Sequence, residues 1–350
     1  MTRVAVVGVG TMGKNHVRVY QEMPEVELVA VVDENPVVAE QVGRVFHVPA
    51  YTSYEEMVER ERPEAVTVAV PTSSHFKVAK GMLESKCDVL LEKPIASTIE
   101  EASGLIRLAE QHGRLLMVGH IERFNPAVIE LKKCLVNGEL GRVYQIYARR
   151  LGPFPPRIQD VGVVTDLATH DLDIMRHLTG SEVIRIYAEA KRELHASQED
   201  LFAGILRFAN DTIGLLEINW LTPTKIRELF ITGEKGMFRV DYLTQDLYFY
   251  ENGANNGSQW AAGLLPGVSE GKMIHYAIQK KEPLRAELEA FITGVQKKDN
   301  SVANGRDARI ALSLAKILVA SAWSWQVKGV IDDDVIREPN RYKFAPTSAD

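Results

Sequence analysis

The sequence predicts an α/β protein of two domains, a doubly wound parallel sheet followed by an α+β domain with an open, mostly antiparallel sheet. The 350 residues are enough for two domains. Over roughly the first 120 residues, short β-branched apolar runs alternate with helical patterns, which is typical of parallel strands covered on both faces. Further on, several segments alternate apolar and polar residues, which indicates strands with one exposed face.

The apolar runs of the first part predict strands at 4–7, 28–32, 65–70, 89–91 and 115–118. Between them, residues 12–22, 36–46, 54–60, 76–85 and 99–112 have the apolar spacing of helices. Thr98 and Glu101 form a capping box at the start of the last of these helices, and Gly113 suits its end. Strands that alternate with helices in this way predict a parallel sheet.

The second part begins with a predicted helix at 126–137 and continues mainly with strands. These strands are predicted at 143–151, 183–194, 202–208, 212–220, 226–232 and 237–242, with one helix at 166–178 among them. Two more helices, 283–298 and 306–325, are expected to pack back towards the first domain. We therefore predict a first domain at 1–122, a second domain at 123–337 and a loose tail at 338–350.

The composition excludes several classes of function. The 41 basic and 47 acidic side chains give a formal net charge of −6 without a basic block, so we expect neither nucleic acid nor membrane as a partner. Cys87 and Cys134 are too few for a disulfide scaffold or a cysteine metal site. No apolar run approaches the roughly 18 to 20 residues that span a bilayer, and no signal peptide precedes the first strand, so we expect a cytoplasmic protein.

A glycine pattern links the first predicted strand to the first predicted helix. Gly8, Gly10 and Gly13 fit G-x-G-x-x-G, with Thr11 and Met12 between the last two. The first glycine allows a tight turn, the second lets a pyrophosphate approach the backbone, and the third lets the helix pack on the strand. The segment 8–13 therefore predicts a Rossmann domain that binds a dinucleotide.

Asp33 supports this prediction, because it ends the second strand 20 residues after Gly13. At that position a carboxylate accepts hydrogen bonds from the adenosine ribose. Glu34 follows Asp33, and a second carboxylate would repel the 2′-phosphate of NADP. We therefore predict NAD as the cofactor.

Two further loops are expected at the same edge of the sheet, since each follows a predicted strand. Pro71, Thr72 and His75 follow the strand at 65–70, where helix capping is an additional explanation. Glu92 and Lys93 follow the strand at 89–91, where a solvated surface lysine is the alternative. We expect these five residues to contact the cofactor.

Pro94 and two histidines lie close to these loops in the sequence or in the predicted fold. Pro94 raises the chance of a cis peptide bond after Lys93. His16 and His75 lie on the cofactor side, but exposed positions in the first turns of helices explain them more simply.

Asp166 and His170 are four residues apart in a predicted helix, so their side chains share one face. A carboxylate beside an imidazole can orient it and support general base catalysis. A capping aspartate and a satisfied, partly buried histidine are the alternatives. Asp171 and Asp173 are close, but zinc sites usually contain more His or Cys, so we expect no metal.

These motifs together carry a family resemblance over nearly the whole chain. The glycine pattern with Asp33, the triplet at 92–94, the Asp166–His170 pair and the segments 287–291 and 305–308 resemble the Gfo/Idh/MocA family of sugar and cyclitol dehydrogenases. The resemblance implies a Rossmann domain and a second domain whose open sheet face pairs subunits into a homodimer or homotetramer. It also implies that Lys93 is the catalytic lysine and that Asp166 and His170 are the catalytic pair.

Within this family, the segments 119–126 and 165–175 look most like UDP-N-acetylglucosamine 3-dehydrogenases. That likeness implies NAD-dependent oxidation of the C3 hydroxyl of UDP-N-acetylglucosamine. The alternatives are a UDP-N-acetylglucosaminuronate 3-dehydrogenase, a dehydrogenase of free sugars or inositol, and a non-catalytic NAD-binding sensor. Retention of Lys93, Asp166 and His170 argues against the sensor, and we favour His170 over Lys93 as the base.

A nucleotide-sugar substrate would also need contacts from the second part of the chain or from its border. The expected substrate residues are His120, Arg123, Asn125 and Arg149, and further candidate cations are Arg150, Arg157 and Lys225. For each cation, an ordinary surface charge is the alternative.

Overall fold

The computed structural model describes residues 1–155, 162–194, 198–253, 269–299 and 303–330. By its contacts the chain divides into two compact units. The first contains Met1–Phe124 and Lys281–Ser313, and the second contains Asn125–Lys280 and the described part of Leu314–Asp350. The predicted tail at 338–350 and Arg157 lie outside the described residues.

Helices and strands alternate in the first 124 residues. In order they are β1 (Thr2–Val7), α1 (Thr11–Gln21), β2 (Val26–Val32), α2 (Pro36–Phe46), β3 (Ala50–Tyr51), α3 (Tyr54–Glu61), β4 (Ala65–Val68), α4 (Thr72–Glu84), β5 (Asp88–Leu91), α5 (Ile99–His112), β6 (Leu116–Val118) and a 3₁₀ turn (Ile121–Phe124).

The chain from residue 125 on contains mostly strands, with helices at its start and near its end. In order they are α6 (Pro126–Val136), β7 (Val143–Pro153), a π-helical turn (Val164–Ala168), α7 (Thr169–Thr179), β8 (Val183–Lys191), β9 (Leu201–Phe208), β10 (Ile213–Asn219), β11 (Leu221–Gly233), β12 (Gly236–Asp241), β13 (Asp246–Asn252), β14 (Glu270–His275), α8 (Pro283–Lys297), α9 (Gly305–Ser324) and β15 (Lys328–Gly329).

The first unit contains a six-stranded sheet in the order β3-β2-β1-β4-β5-β6. Its neighbouring strands are parallel, so the predicted doubly wound sheet is confirmed. The strand order reverses between β1 and β4, and in such sheets ligands bind outside the carboxyl ends of the strands at this point. The glycine segment follows β1, and the loops with Pro71 and Glu92 follow β4 and β5.

Apolar side chains cover both faces of this sheet. On one face, Val66 and Val68 of β4 pack in a cluster with Met82 of α4 and Leu105 of α5. On the other face, residues of β1 pack in a cluster with α1 and α8. Burial of apolar surface on both faces is what the continuous apolar strands require.

The place of α8 differs from the predicted domain boundaries, which assign residues 281–313 to the second domain. Leu284, Leu288 and Phe291 of α8 are buried in the same cluster as Val4 and Val6 of β1. This apolar face therefore attaches α8 to the first unit, as expected for final helices that pack back.

The second unit contains a nine-stranded sheet in the order β14-β13-β12-β11-β7-β10-β9-β8-β15. β7 and β10 are parallel, and the other neighbouring pairs are antiparallel, which confirms a mostly antiparallel sheet. Ile146 and Ala148 of β7 are buried on one face, while Tyr147 and Arg149 alternate with them on the other. The predicted half-exposed pattern is therefore present.

Four strands, β3, β13, β14 and β15, were not predicted. β3 and β15 contain two residues each, too few for a periodic signal. Every residue of β14 is exposed, so no apolar alternation marks it. β13 does alternate, with Leu247 and Phe249 buried between half-buried residues, and this signal was overlooked. The helix predicted at 166–178 begins instead with the π-helical turn, and α7 follows.

Candidate functional site

The glycine segment forms the tight turn that its sequence predicts. Gly8 has a φ of +85°, and a Cβ atom there would lie 2.7 Å from the backbone of Ala69. A Cβ atom at Gly13 would lie 1.9 Å from the carbonyl oxygen of Gly8. At Gly10 a Cβ atom would meet nothing within 4 Å among the described residues. Two glycines are therefore required by the fold itself, whereas Gly10 borders open space that a pyrophosphate could enter.

The N-terminus of α1 lies at this open space. Gly10 is the N-cap residue and provides no side-chain capping hydrogen bond, and Thr11 and Met12 form the first turn. The first N–H groups of a helix lack intrahelical partners and carry a partial positive charge, which suits a phosphate. The segment thus fits the pyrophosphate of NAD.

Asp33 lies at the end of β2 and holds the glycine segment. Its Oδ2 accepts the N–H of Val9 at 3.0 Å, and its Oδ1 accepts the N–H of Asn35 at 3.0 Å. Each carboxylate oxygen can accept a second hydrogen bond, so ribose hydroxyls remain possible donors. Glu34 beside it is exposed.

The loop after β4 is tied to the loop after β5 through His75. Nδ1 of His75 lies 2.7 Å from the carbonyl oxygen of Pro94, and Nε2 lies 2.9 Å from that of Val70. Burial lowers the pKa of His75, while the two carbonyl oxygens raise it less, so the pKa is lowered. Pro71 is the N-cap residue of α4 and Thr72 begins it. Because both ring nitrogens contact backbone, His75 holds the two loops, and its contact with the cofactor stays a prediction.

His16, which the sequence placed at the surface, is buried beside the triplet at 92–94. His16 is fully buried, and its Nε2 lies 2.8 Å from Oε1 of Glu92. The N–H of Lys93 donates to Oε2 of Glu92 at 3.2 Å, and the peptide bond from Lys93 to Pro94 is cis. Burial raises the pKa of Glu92, but His16 and Lys93 lower it more, so the pKa is lowered overall. The carboxylate therefore orders the segment that carries Lys93.

The exposed positions considered for His16 and His75 are wrong, because both side chains are in the core of the first unit at 0% and 1% exposure. The burial of His16 could have been inferred from its spacing of four residues from Tyr20, because residues four apart share one face of a helix and Tyr20 is also buried in α1.

Asp166 and His170 are both half-buried, in the π-helical turn and in the first turn of α7. The N–H of Asp166 donates to the carbonyl oxygen of Gly162 at 3.1 Å. A π-helical turn inside a helix occurs frequently at functional sites. This position is compatible with the predicted acid–base pair, whose catalytic role stays a prediction.

Asp171, the next residue along α7, forms a buried ion pair that sequence reasoning missed. Its Oδ2 and Oδ1 accept hydrogen bonds from Arg150 Nε at 2.7 Å and Nη2 at 3.1 Å. Arg150 also lies over the ring of Tyr242, 5.4 Å from its centroid. Of the predicted cations, Arg150 is therefore part of the internal structure of the second unit.

Two predicted substrate residues form internal contacts as well. Nη1 of Arg123 lies 3.1 Å from Oδ2 of Asp307, at the start of α9. Asn125 caps α6 by accepting the N–H of Ala127 at 3.1 Å and donates to the carbonyl oxygen of Tyr242 at 3.0 Å. These groups are held by the fold, and their contact with a substrate stays a prediction.

Arg149 lies on the outer face of the second sheet between two carboxylates. Its Nε is 2.9 Å from Oε2 of Glu217, and its Nη1 is 3.2 Å from Oε2 of Glu228. These three residues are cross-strand neighbours on β7, β10 and β11. Lys225 on β11 is exposed, and His120 is buried at the end of β6.

Within the five described ranges, no group of three or more His, Cys, Asp or Glu side chains could hold a metal ion. None of the helices formed by described residues is long and apolar enough to cross a membrane.

Comparisons with known proteins agree with these features. Residues 2–120 match the model of the oxidoreductase family with an NAD-binding Rossmann fold, and residues 128–239 match that of the GFO/IDH/MocA C-terminal domain. UDP-N-acetylglucosamine 3-dehydrogenase of Acidithiobacillus ferrooxidans is 30% identical over 293 residues, which cover 84% of this chain and 88% of that protein. A solved structure of that enzyme, GnnA, has a TM-score of 0.82 at 28% identity and covers 92% of this chain and 98% of that chain.

Inositol dehydrogenases are similar to nearly the same degree. Myo-inositol dehydrogenase Hyg17 of Streptomyces leeuwenhoekii is 29% identical over 335 residues, which cover 93% of this chain and 98% of that protein. The two matched models and the coverage of both relatives confirm the resemblance found in the sequence. The chain belongs to the Gfo/Idh/MocA family of oxidoreductases and has an NAD-binding Rossmann domain.

Proposed function

We propose that the protein oxidises the C3 hydroxyl of UDP-N-acetylglucosamine to a 3-keto sugar and reduces NAD. The observation that carries this proposal is the 30% identity to a UDP-N-acetylglucosamine 3-dehydrogenase across 88% of that enzyme. The likeness of the segments 119–126 and 165–175 to the same enzymes supports it.

The reaction needs a hydride acceptor and a proton acceptor. When bound, NAD would supply the acceptor for the hydride of C3. We propose that His170 takes the hydroxyl proton, since histidine is the most common general base in enzymes. Asp166 would orient the imidazole ring. Lys93 would donate a hydrogen bond to the same hydroxyl oxygen and stabilise its developing negative charge.

The diphosphate of the substrate requires cationic or amide donors. Arg123, Arg149 and Arg150 already have carboxylate partners, whereas Lys225 is exposed on β11. We therefore propose Lys225 as a diphosphate contact ahead of Arg149. If this is correct, Lys225→Met raises KM for UDP-N-acetylglucosamine by about tenfold with little change in kcat, since uniform binding is removed. An unchanged KM would remove Lys225 from the proposal.

A free cyclitol is the second candidate substrate, because Hyg17 is 29% identical over 98% of its own length. An assay of NADH formation separates the candidates when UDP-N-acetylglucosamine, its uronate and myo-inositol are supplied in turn. We expect the highest kcat/KM with UDP-N-acetylglucosamine. Turnover of the uronate or of myo-inositol alone would contradict the substrate assignment while leaving the dehydrogenase assignment intact.

We also propose that two subunits pair through the outer face of the second sheet. Ile184, Ile205 and Ile213 on β8, β9 and β10 are 46%, 51% and 37% exposed, and exposed apolar patches of this kind mark interfaces. Ile205→Glu should then reduce the mass measured by light scattering to that of a monomer. Val37→Glu, on the exposed face of α2, is the control and should leave the mass unchanged. A monomeric wild-type protein would contradict this proposal.

A further inference from the structure

A fully buried carboxyl group lies on α8 of the first unit. Glu287 has no exposed surface, and neither of its carboxylate oxygens has a hydrogen-bond partner among the described residues. Leu284, Leu288 and Phe291 of the same helix are buried in the apolar cluster that covers one face of the parallel sheet. A carboxylate there would lose its hydration without compensation, so the neutral acid is strongly favoured.

The elements that pack against α8 bring polar groups towards Glu287. α8 packs on α1 and on the 3₁₀ turn at 121–124. Tyr20 of α1 is fully buried, and its hydroxyl lies 2.8 Å from Oγ1 of Thr67. Burial raises the pKa of Tyr20, and the Glu287 carboxyl group adds to the increase.

The negative charge that bears on Glu287 is that of Glu92, the residue before Lys93. Burial raises the pKa of Glu287 well above its usual range, and the negative charge of Glu92 raises it further. Glu92, unlike Glu287, has hydrogen-bond donors. It accepts hydrogen bonds from His16 at 2.8 Å and from the N–H of Lys93 at 3.2 Å. These bonds favour the ionised form of Glu92, so that Glu287 is the member of the pair that keeps its proton.

Two basic groups on the elements that pack against α8 have other carboxylates as partners. Arg123 of the 3₁₀ turn pairs with Asp307. His16 uses its Nε2 on Glu92. The titratable and charged groups on the elements that pack against α8 include His16 and Tyr20 of α1 and Arg123 of the 3₁₀ turn, and Lys93 bears on Glu92.

We propose that Glu287 is a positioning residue that holds a proton at neutral pH and thereby keeps Glu92 bonded to His16 and to the backbone of Lys93. Loss of that proton in alkaline solution adds a second negative charge that acts on Glu92. Repulsion then weakens the two hydrogen bonds that order the loop after β5, and NADH binding weakens with them. The proposal concerns the cofactor-binding unit alone and does not depend on the identity of the sugar substrate.

The test compares Glu287→Gln with wild type. Gln has the shape of the protonated acid and cannot ionise. The matched control is Glu289→Gln on the same helix, because burial raises the pKa of Glu289 less than its pairs with Lys281 and Arg285 lower it. An unfolding curve is measured at each pH from 5 to 9, together with the affinity for NADH.

The expected result follows from the raised pKa of Glu287. The stabilisation from the protonated Glu287 is complete below the pKa of the carboxyl group in the unfolded protein, about 4.3. It is lost as pH rises towards the pKa in the folded protein. The Tm of wild type should therefore fall relative to that of Glu287→Gln by about 3 °C per pH unit over this window. The affinity of wild type for NADH should fall severalfold more than that of Glu287→Gln between pH 7 and pH 9, and Glu289→Gln should follow wild type.

The infrared spectrum gives a readout that a merely structural role would not move. The difference between wild type and Glu287→Gln at pH 7 should contain the C=O stretch of a protonated carboxyl group. A carboxylate band in its place, or parallel pH profiles of Tm, would overturn the proposal. Failure of both Glu287→Gln and Glu287→Met to fold, while Glu289→Gln folds, would also overturn it, since both replacements are uncharged.

Discussion

Nε2 of His16, at the middle of α1, lies 2.8 Å from Oε1 of Glu92, at the end of β5. The same carboxylate accepts the N–H of Lys93 with its other oxygen. A helix that begins at the glycine turn is thus connected through one carboxylate to the segment that carries Lys93, the proposed catalytic lysine. A substitution that disturbs the glycine turn should therefore also disturb the segment that carries Lys93.

Glu92 should contribute stability that depends on pH. Burial raises its pKa, but the hydrogen bond and charge of His16 lower it more, so the stabilisation is present above the unfolded pKa and is lost as pH falls through the folded value. Glu92→Gln should reduce the free energy of unfolding by about 2 kcal/mol at pH 7. Urea denaturation should show this loss shrinking below about pH 4. Glu84→Gln, at an exposed position of α4, is the control, and an equal loss in both variants would contradict the role of His16.

The glycine turn offers a matched pair of substitutions. Gly13→Ala should cost roughly 3 kcal/mol, because its Cβ atom would lie 1.9 Å from the carbonyl oxygen of Gly8. Gly10→Ala should leave Tm nearly unchanged, since the space is open, but should weaken NADH binding by at least about tenfold. Thermal unfolding and NADH titration check both. Normal NADH affinity in Gly10→Ala would place the pyrophosphate elsewhere.

Asp33 should determine the choice of cofactor. Wild type should have a higher kcat/KM with NAD than with NADP, because Asp33 and Glu34 repel a 2′-phosphate. Asp33→Ala should lower the ratio of the two kcat/KM values by about tenfold or more. Asp33→Ala also removes the acceptor of the Val9 N–H. Asp33→Asn is therefore measured in parallel, because its amide oxygen can still accept that hydrogen bond. A wild type that prefers NADP would contradict the assignment.

The ion pair of Arg150 and Asp171 should be important for the stability of the second unit. Its side chains are 5% and 1% exposed, and removing one partner leaves a buried charge. Asp171→Asn should therefore cost about 3 to 5 kcal/mol. Arg149→Met, on the opposite face of β7, should cost less than about 1 kcal/mol, because its two pairs are partly exposed. Similar losses of unfolding free energy in the two variants would contradict the idea that the buried pair of Arg150 stabilises the protein more than the exposed pairs of Arg149.

The identity of the base can be tested through the pH profile of kcat. If His170 takes the proton, His170→Asn should lower kcat by about 10² to 10⁴-fold and remove the acidic limb of the profile. Lys93→Met should lower kcat and keep that limb. Near-wild-type kcat in His170→Asn at every pH would transfer the role of the base to Lys93.

Local sequence signals predicted the first unit well. The capping box of Thr98 and Glu101 and the left-handed Gly113 bound α5 where expected, because each acts within a few residues. The glycine turn likewise depends on neighbours along the chain. Such features are visible without the fold.

Contacts between distant residues account for what the sequence did not reveal. Arg123 and Asp307 are 184 positions apart, and Asn125 and Tyr242 are 117 positions apart, so nothing in the neighbouring sequence indicated these partners. Arg123 and Asn125, two of the four predicted substrate residues, therefore proved to be held by internal contacts. His16 was misjudged for the same reason, since Glu92 lies 76 positions away.

The most direct test of the proposed reaction uses UDP-N-acetylglucosamine that carries deuterium at C3. Oxidation at C3 transfers that deuterium to the cofactor, so mass spectrometry of the reduced cofactor should show an increase of one mass unit, and the sugar product should be the 3-ketone. Unlabelled NADH formed from this substrate would contradict oxidation at C3. Absence of NADH, with turnover of myo-inositol instead, would contradict the assignment of a nucleotide sugar.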